Sequence, residues 1–156
     1  MIKTALIGVT GYGDFYLSQL MRLQEDGHLA LTAAVVKNPG EAIRQLEILK
    51  NAGVKTYDTA DAMFQAEKGN LDFCCIPTGI DSHATLTIMA LENGCHVLVE
   101  KPAAATVQDI ASMKTAAEKA GKEVMVGFQH IYGKDAQVIK EWIWENRIGK
   151  ITSIKM

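Results

Sequence analysis

The protein has 156 residues, of which 48% are hydrophobic, 22% are charged and only three are proline. This length suits one domain with a buried core, and the composition excludes a disordered or fibrous chain. The formal net charge of −2 comes from 16 basic and 18 acidic residues mixed along the chain, so no basic face is predicted and nucleic acid is not an expected partner.

Short β-branched segments alternate with longer segments of helical periodicity along the whole chain. This alternation predicts an α/β fold, a doubly wound parallel Rossmann sheet of six to seven strands with helices on both faces. The predicted strands are 2–7, 29–36, 54–57, 71–76, 96–99, 123–126 and 150–155. The predicted helices are 14–25, 41–51, 59–68, 82–92, 107–119 and 134–145. Glycines that favour helix ends follow four of these helices, at 53, 94, 121 and 149.

A glycine-rich segment joins the first predicted strand to the first predicted helix, which is the context of a dinucleotide-binding loop. Gly8 permits a tight turn, Gly13 allows close packing of helix and strand, and the amides at the helix start can bind a pyrophosphate. Thr10 occupies the middle glycine position of G-x-G-x-x-G and offers its hydroxyl to a phosphate oxygen. The alternative is an ordinary glycine turn. The predicted cofactor contacts of this loop are Gly8, Val9, Thr10, Gly11, Tyr12 and Gly13.

The end of the second predicted strand is where an NAD-binding domain usually places an acid against the adenosine ribose. This chain has Lys37 and Asn38 there. A lysine attracts a 2′-phosphate, and Arg44 is expected to add a second positive charge, so the sequence favours NADP over NAD. The alternative is a solvated Lys37, with Asn38 or Glu41 at the ribose.

A series of motifs follows between residues 71 and 102. They are Pro77-Thr78 after a strand, His83 at a helix start, Ala90-Leu91-Glu92-Asn93-Gly94 at a helix end, His96-Val97 in a strand, and Glu100-Lys101-Pro102. On these motifs the chain resembles the Gfo/Idh/MocA family of NAD(P)-dependent oxidoreductases. The resemblance extends over 126–130 and 147–151, with a reversed Pro-Thr order and Gln129 in place of a common asparagine as departures.

The resemblance implies a catalytic or substrate-binding role for Lys101. It implies cofactor contacts for Pro77, Thr78, His83, Glu100, Lys101, Pro102 and Gln129. Independently of the resemblance, Lys101 follows the carboxyl end of a predicted strand, where ligands of open α/β sheets bind. Its ammonium can exchange a proton with a hydroxyl or polarise a carbonyl, and Pro102 restricts its backbone. The alternatives are a solvated Glu100–Lys101 ion pair and a capping or packing role for His83.

The resemblance implies hydride transfer between nicotinamide and a sugar, polyol or related hydroxyl or carbonyl substrate. Residues 1–149 are predicted to form the NAD(P)-binding domain, and 150–156 the first strand of a substrate domain that is largely absent. A non-catalytic NAD(P)-binding sensor is the alternative. A third interpretation, a reductase of the semialdehyde or dipicolinate type, accounts for the glycine loop but less well for Glu100-Lys101-Pro102. The exposed last strand suggests a homo-oligomer or a larger sheet.

Three cysteines, two of them adjacent, fit neither a disulfide framework nor a zinc site. Cys74, Cys75 and Cys95 are therefore predicted to be buried free thiols, and no metal site is predicted. Apolar runs such as 29–36 are much shorter than the roughly 18 residues of a membrane span. The first residues do not resemble a signal peptide, so a cytoplasmic protein without membrane contact is expected.

Overall fold

The alternating pattern of the sequence produces six strands and six helices in a computed structural model that describes residues 1–155. The strands are β1 (Ile2–Ile7), β2 (Leu29–Val35), β3 (Lys55–Tyr57), β4 (Phe73–Ile76), β5 (His96–Val99) and β6 (Val124–Val126). The helices are α1 (Tyr12–Glu25), α2 (Ile43–Asn51), α3 (Ala60–Ala66), α4 (Ile80–Glu92), α5 (Val107–Ala120) and α6 (Lys134–Trp144). Two short 3-10 turns cover Pro39–Glu41 and Gln129–Tyr132.

The six strands form one sheet in the order β3-β2-β1-β4-β5-β6, and every neighbouring pair is parallel. The chain first moves outward from β1 to β3 and then returns to build β4 to β6 on the other side. Loops after β1 and β4 therefore separate to opposite faces and leave a crevice between them, which is where open α/β sheets bind ligands. The predicted doubly wound Rossmann fold is confirmed.

The core has two layers because successive side chains of a strand point to opposite faces of the sheet. In β1, Ala5 and Ile7 belong to the cluster under α3, α4 and α5, and Leu6 belongs to the cluster under α1 and α2. The adjacent Cys74 and Cys75 divide between the same two clusters. Both are buried, as is Cys95, and all three are free thiols, as predicted.

Helix starts differ from the predicted ones by two residues in α1, α2 and α4 and by one residue in α3. Helix α3 begins at Ala60 and α4 at Ile80. The structure begins α1 at Tyr12, because the glycine segment already turns into helix before Asp14. The predicted helix 41–51 starts at Ile43 after a separate 3-10 turn. The helix-stop glycines behave as predicted, with positive φ angles of 71°, 83°, 62° and 64° at Gly53, Gly94, Gly121 and Gly149.

The C-terminal region departs most from prediction. Helix α6 forms, but its side chains are almost all exposed. The predicted strand 150–155 is wrong, since residues 151–155 have no regular structure. In the part of the chain that the structure describes, no strand pairs with them to complete their backbone hydrogen bonds. Met156 lies outside the described residues, and a domain boundary near residue 150 stays a prediction. Within residues 1–155, no helix has both the length and the hydropathy for crossing a membrane.

A buried acid joins α3 to the edge strand β3. Glu67 directly follows α3 and is only 5% exposed. Its Oε1 accepts hydrogen bonds from Lys55 Nζ at 2.7 Å and from the Tyr57 hydroxyl at 2.6 Å. These two bonds lower the pKa of Glu67, and burial together with the same contact raises the pKa of Tyr57 to about 12. The charged form of Glu67 therefore stabilises this edge of the sheet.

We expect Glu67→Gln to lower the free energy of unfolding by about 1–3 kcal/mol at neutral pH, because two hydrogen bonds lose their charged acceptor. The folded pKa is depressed, so this contribution is complete above the ordinary value of 4.5 and is lost as the pH falls through the folded value. Urea unfolding at several pH values measures it. Glu118→Gln, which removes an exposed helical pair with Lys114, is the control and should change stability by less than about 0.5 kcal/mol. Equal effects of the two variants at neutral pH would contradict the prediction.

Candidate functional site

Six of the predicted site residues meet at the carboxyl ends of the central strands. A cavity of about 320 Å³ lies there, and its lining consists of Tyr12, Pro77, Thr78, Glu100, Lys101 and Gln129. The sequence predicted each of these six residues as a site residue. A larger cavity, of about 490 Å³, lies between α5 and β6 and contains none of them. The topological switch point of the sheet thus coincides with the small cavity.

The glycine loop brings backbone against backbone at the start of α1. An ideal Cβ on Gly13 would lie 2.3 Å from the carbonyl oxygen of Gly8, so no larger residue fits there. Gly8 itself has a φ of 91°, and its amide donates to the Val35 carbonyl at 3.1 Å. No side chain caps α1, and within the turn the amides of Gly13 and Asp14 donate to the carbonyls of Thr10 and Gly11 at 3.0 and 3.2 Å. The positive end of the helix dipole still favours an anion at this point. The loop therefore fits a dinucleotide pyrophosphate.

The other residues of the loop differ in what they can offer a ligand. Thr10 and Gly11 are exposed, and Tyr12 is 46% exposed at the rim of the cavity. The side chain of Val9 is 2% exposed and packs in the core. Only the backbone of Val9 can therefore reach a bound cofactor.

Charged residues beyond β2 lie where the adenosine end of a dinucleotide is expected. Lys37 and Asn38 are exposed. Arg44 binds both carboxylate oxygens of Asp14 at 2.5 Å, and Gln45 donates to the same carboxylate at 3.0 Å. Arg44 is therefore paired with an acid in this structure, and its contribution of a second positive charge to a 2′-phosphate stays a prediction. Its charge offsets an acid in the first turn of α1, which would otherwise repel a phosphate.

The Glu100 carboxylate is buried between α1 and the ends of β5 and β6. It is 6% exposed. Its Oε1 accepts a hydrogen bond from the Tyr16 hydroxyl at 2.7 Å, and its Oε2 accepts one from the Lys101 amide at 3.0 Å. An ideal Cβ on Gly127 would lie 2.5 Å from Oε1, so glycine is what leaves room for the carboxylate. The side chain of Lys101 itself is exposed at the cavity.

Sequence reasoning did not identify Tyr16 or Gly127. Burial, together with the hydrogen bond to Glu100, raises the pKa of Tyr16, so its hydroxyl keeps its proton and donates. Tyr16 lies one helical turn after Tyr12 on α1. A tyrosine so close to the glycine loop is a usable signal, because a buried hydroxyl needs a partner. Gly127 directly follows β6. A glycine at the end of a strand can indicate that another group approaches the backbone closely there.

His83 lies beneath the cavity rather than in its lining. The ring is 1% exposed, with Nδ1 at 2.8 Å from the Pro102 carbonyl oxygen and Nε2 at 2.9 Å from that of Thr78. A neutral imidazole donates to one of these oxygens, and the doubly protonated ring donates to both. The ring thus joins the loop after β4 to the loop after β5, next to the cis peptide between Lys101 and Pro102. Its predicted contact with a cofactor stays a prediction.

Comparison with known proteins connects this geometry to a family. The Gfo/Idh/MocA model, described as an oxidoreductase family with an NAD-binding Rossmann fold, matches residues 2–128. D-glucoside 3-dehydrogenase of Escherichia coli is 31% identical over 96% of this chain. A 1-carboxy-3-chloro-3,4-dihydroxycyclohexa-1,5-diene dehydrogenase of Comamonas testosteroni is 31% identical over 95% of it. The chain spans 41% and 36% of the length of these two relatives.

Solved structures share the fold. Myo-inositol 2-dehydrogenase from Lactobacillus plantarum superimposes with a TM-score of 0.82 at 26% identity, over 96% of this chain and 43% of that protein. The WlbA dehydrogenase from Chromobacterium violaceum, solved with NADH and UDP-GlcNAcA, gives 0.82 at 25% identity, over 96% of this chain and 41% of that protein. The chain therefore belongs to the Gfo/Idh/MocA oxidoreductase family, and residues 2–128 correspond to its NAD-binding Rossmann domain.

Proposed function

We propose that the protein is a dehydrogenase or reductase that transfers a hydride between a nicotinamide dinucleotide and a sugar or cyclic polyol. The observation that carries the proposal is the position of Lys101 at a cavity beside the glycine loop, at the switch point of the sheet. The bound nicotinamide supplies the hydride chemistry. The chain then has to bind the dinucleotide and handle the proton that accompanies the hydride.

We propose that Lys101 exchanges the proton that accompanies hydride transfer. Its ammonium side chain is exposed at the cavity, while its amide is held by Glu100. With its backbone held and its ammonium accessible, Lys101 can donate a hydrogen bond to a substrate oxygen and exchange a proton with it. Gly8 and Gly13 form the pyrophosphate cradle at the other end of the site.

The relatives suggest the class of substrate. A glucoside, a dihydroxycyclohexadiene and myo-inositol are named for three of the dehydrogenases described above. Each is a ring that carries hydroxyl groups. We propose that this protein acts on a hydroxylated ring, and that residues beyond 150 in a longer chain supply most of the substrate contacts. A cytoplasmic location stays a prediction.

Lys37 supports a finer proposal, a preference for NADP over NAD. Its exposed ammonium follows β2, at the position where the adenosine ribose is expected. An acid there would bind the ribose diol of NAD, and a lysine attracts the 2′-phosphate of NADP. Arg44 does not add to this attraction while it is paired with Asp14.

We expect Lys37→Asp to weaken NADP binding by at least about tenfold, because one charge-assisted hydrogen bond to the 2′-phosphate is replaced by repulsion. NAD binding should be unchanged or stronger. Isothermal titration calorimetry of both dinucleotides measures the two affinities. Lys50→Asp, at the far end of α2, makes the same charge change away from the loop and is the control. Equal NADP and NAD affinities in the wild type and in Lys37→Asp would contradict the NADP preference.

We also expect the 156-residue chain to bind dinucleotide with little or no turnover, because Lys101 is only part of a substrate site. Nicotinamide absorbance with glucosides and inositols as trial substrates measures the rate. Lys101→Met should keep dinucleotide binding, since the lysine is proposed to act on substrate. A rate near the enzyme median of about 10 per second would show that the chain holds a complete active site.

A further inference from the structure

A long-range hydrogen bond connects the helix of the glycine loop to the acid that precedes Lys101. The Tyr16 hydroxyl donates to Glu100 Oε1 at 2.7 Å, across 84 positions of sequence. Tyr16 belongs to α1, which begins four residues earlier at the phosphate loop. Glu100 directly follows β5. The bond therefore joins the two proposed ends of the site.

The orientation of the Glu100 carboxylate depends on this bond. Its Oε2 accepts the Lys101 amide at 3.0 Å, and its Oε1 lies over Gly127, where no side chain intervenes. Because the carboxylate is 6% exposed, water is poorly placed to replace a lost donor, and a buried acceptor without its donor is costly. Without the Tyr16 hydroxyl, the carboxylate would turn to find another donor and would release the Lys101 amide.

We propose that Tyr16 is a positioning residue for Lys101, acting through the two oxygens of the Glu100 carboxylate. The part of this inference that concerns proton handling rests on the proposed function. Tyr16 fixes one oxygen, the other oxygen fixes the Lys101 amide, and the direction of the lysine side chain follows. The helix that cradles the cofactor phosphates thereby also sets where the ammonium stands relative to the cofactor.

The competing explanation is that Tyr16 only packs. Its ring lies 5.8 Å from that of Tyr12 and 6.5 Å from that of Phe15, both edge to face. Tyr16→Phe keeps this ring and removes only the hydroxyl. A packing role predicts no change at Lys101 in this variant. The proposed role predicts a change there.

The test compares Tyr16→Phe with Tyr57→Phe. Tyr57 is a matched control, because its hydroxyl also donates to a buried carboxylate, Glu67, at 2.6 Å, but in a different part of the fold. Amide hydrogen exchange and amide chemical shifts, measured by NMR without cofactor, report on the Lys101 backbone. We expect Lys101 exchange to accelerate by about tenfold or more in Tyr16→Phe, with shifted Lys101 and Gly127 resonances. Tyr57→Phe should leave these signals unchanged.

Unchanged exchange and resonances of Lys101 in Tyr16→Phe, or equal changes in Tyr57→Phe, would overturn the proposal. Glu100→Gln is the second variant, should Tyr16→Phe fail to fold. It keeps the side-chain shape and should also shift the Lys101 amide, whereas an unmoved amide would overturn the proposal. Calorimetry of the wild type with NAD and NADP tests the proposed function separately. A wild type that binds neither dinucleotide contradicts that function, while the exchange data alone decide the positioning role.

Discussion

Burial of the Glu100 carboxylate is the constraint on which the arrangement of the site depends. Removing an ion from water costs several kcal/mol, and hydrogen bonds from fixed donors must offset that cost. The two donors come from Tyr16 and from the Lys101 amide, and the space comes from Gly127. Helix α1 and the ends of β5 and β6 therefore have to converge at this point. Fixed donors satisfy both oxygens of the carboxylate, and one of these donors is the backbone amide of Lys101.

Each end of the site contains a glycine at a position where a side chain would not fit. At the phosphate end, the Gly8 carbonyl oxygen occupies the space that a Cβ on Gly13 would need, at 2.3 Å. At the lysine end, Glu100 Oε1 occupies the corresponding space of Gly127, at 2.5 Å. The first contact lets α1 start against the turn, and the second lets a carboxylate lie under the loop after β5. Real Cβ atoms cannot approach oxygen this closely, so alanine at either position would displace the backbone or the carboxylate.

Local patterns predicted the fold because most strands and helices of this chain are amphipathic or buried over their own length. They also placed Tyr12 and Lys101 at the cavity, since a glycine loop after β1 and a Lys-Pro after β5 must meet at one edge of a parallel sheet. The other cavity residues were implied by the family resemblance. Tyr16 was missed because its partner lies 84 positions away. The pairing of Arg44 with Asp14 was missed because it joins two helices. The strand 150–155 was wrong because a strand needs a neighbour that local pattern does not provide.

The pairing of charges in the site leaves its positive groups available to a ligand. Arg44 neutralises Asp14 at the start of α1, so the helix end keeps its attraction for phosphate. Glu100 is satisfied by a hydroxyl and an amide rather than by an ammonium, so Lys101 is not consumed in an internal ion pair. Lys37 is likewise exposed. Loss of the contacts of Asp14 or Glu100 would therefore do more than lower the stability of the fold. It would leave an uncompensated negative charge next to an anionic cofactor.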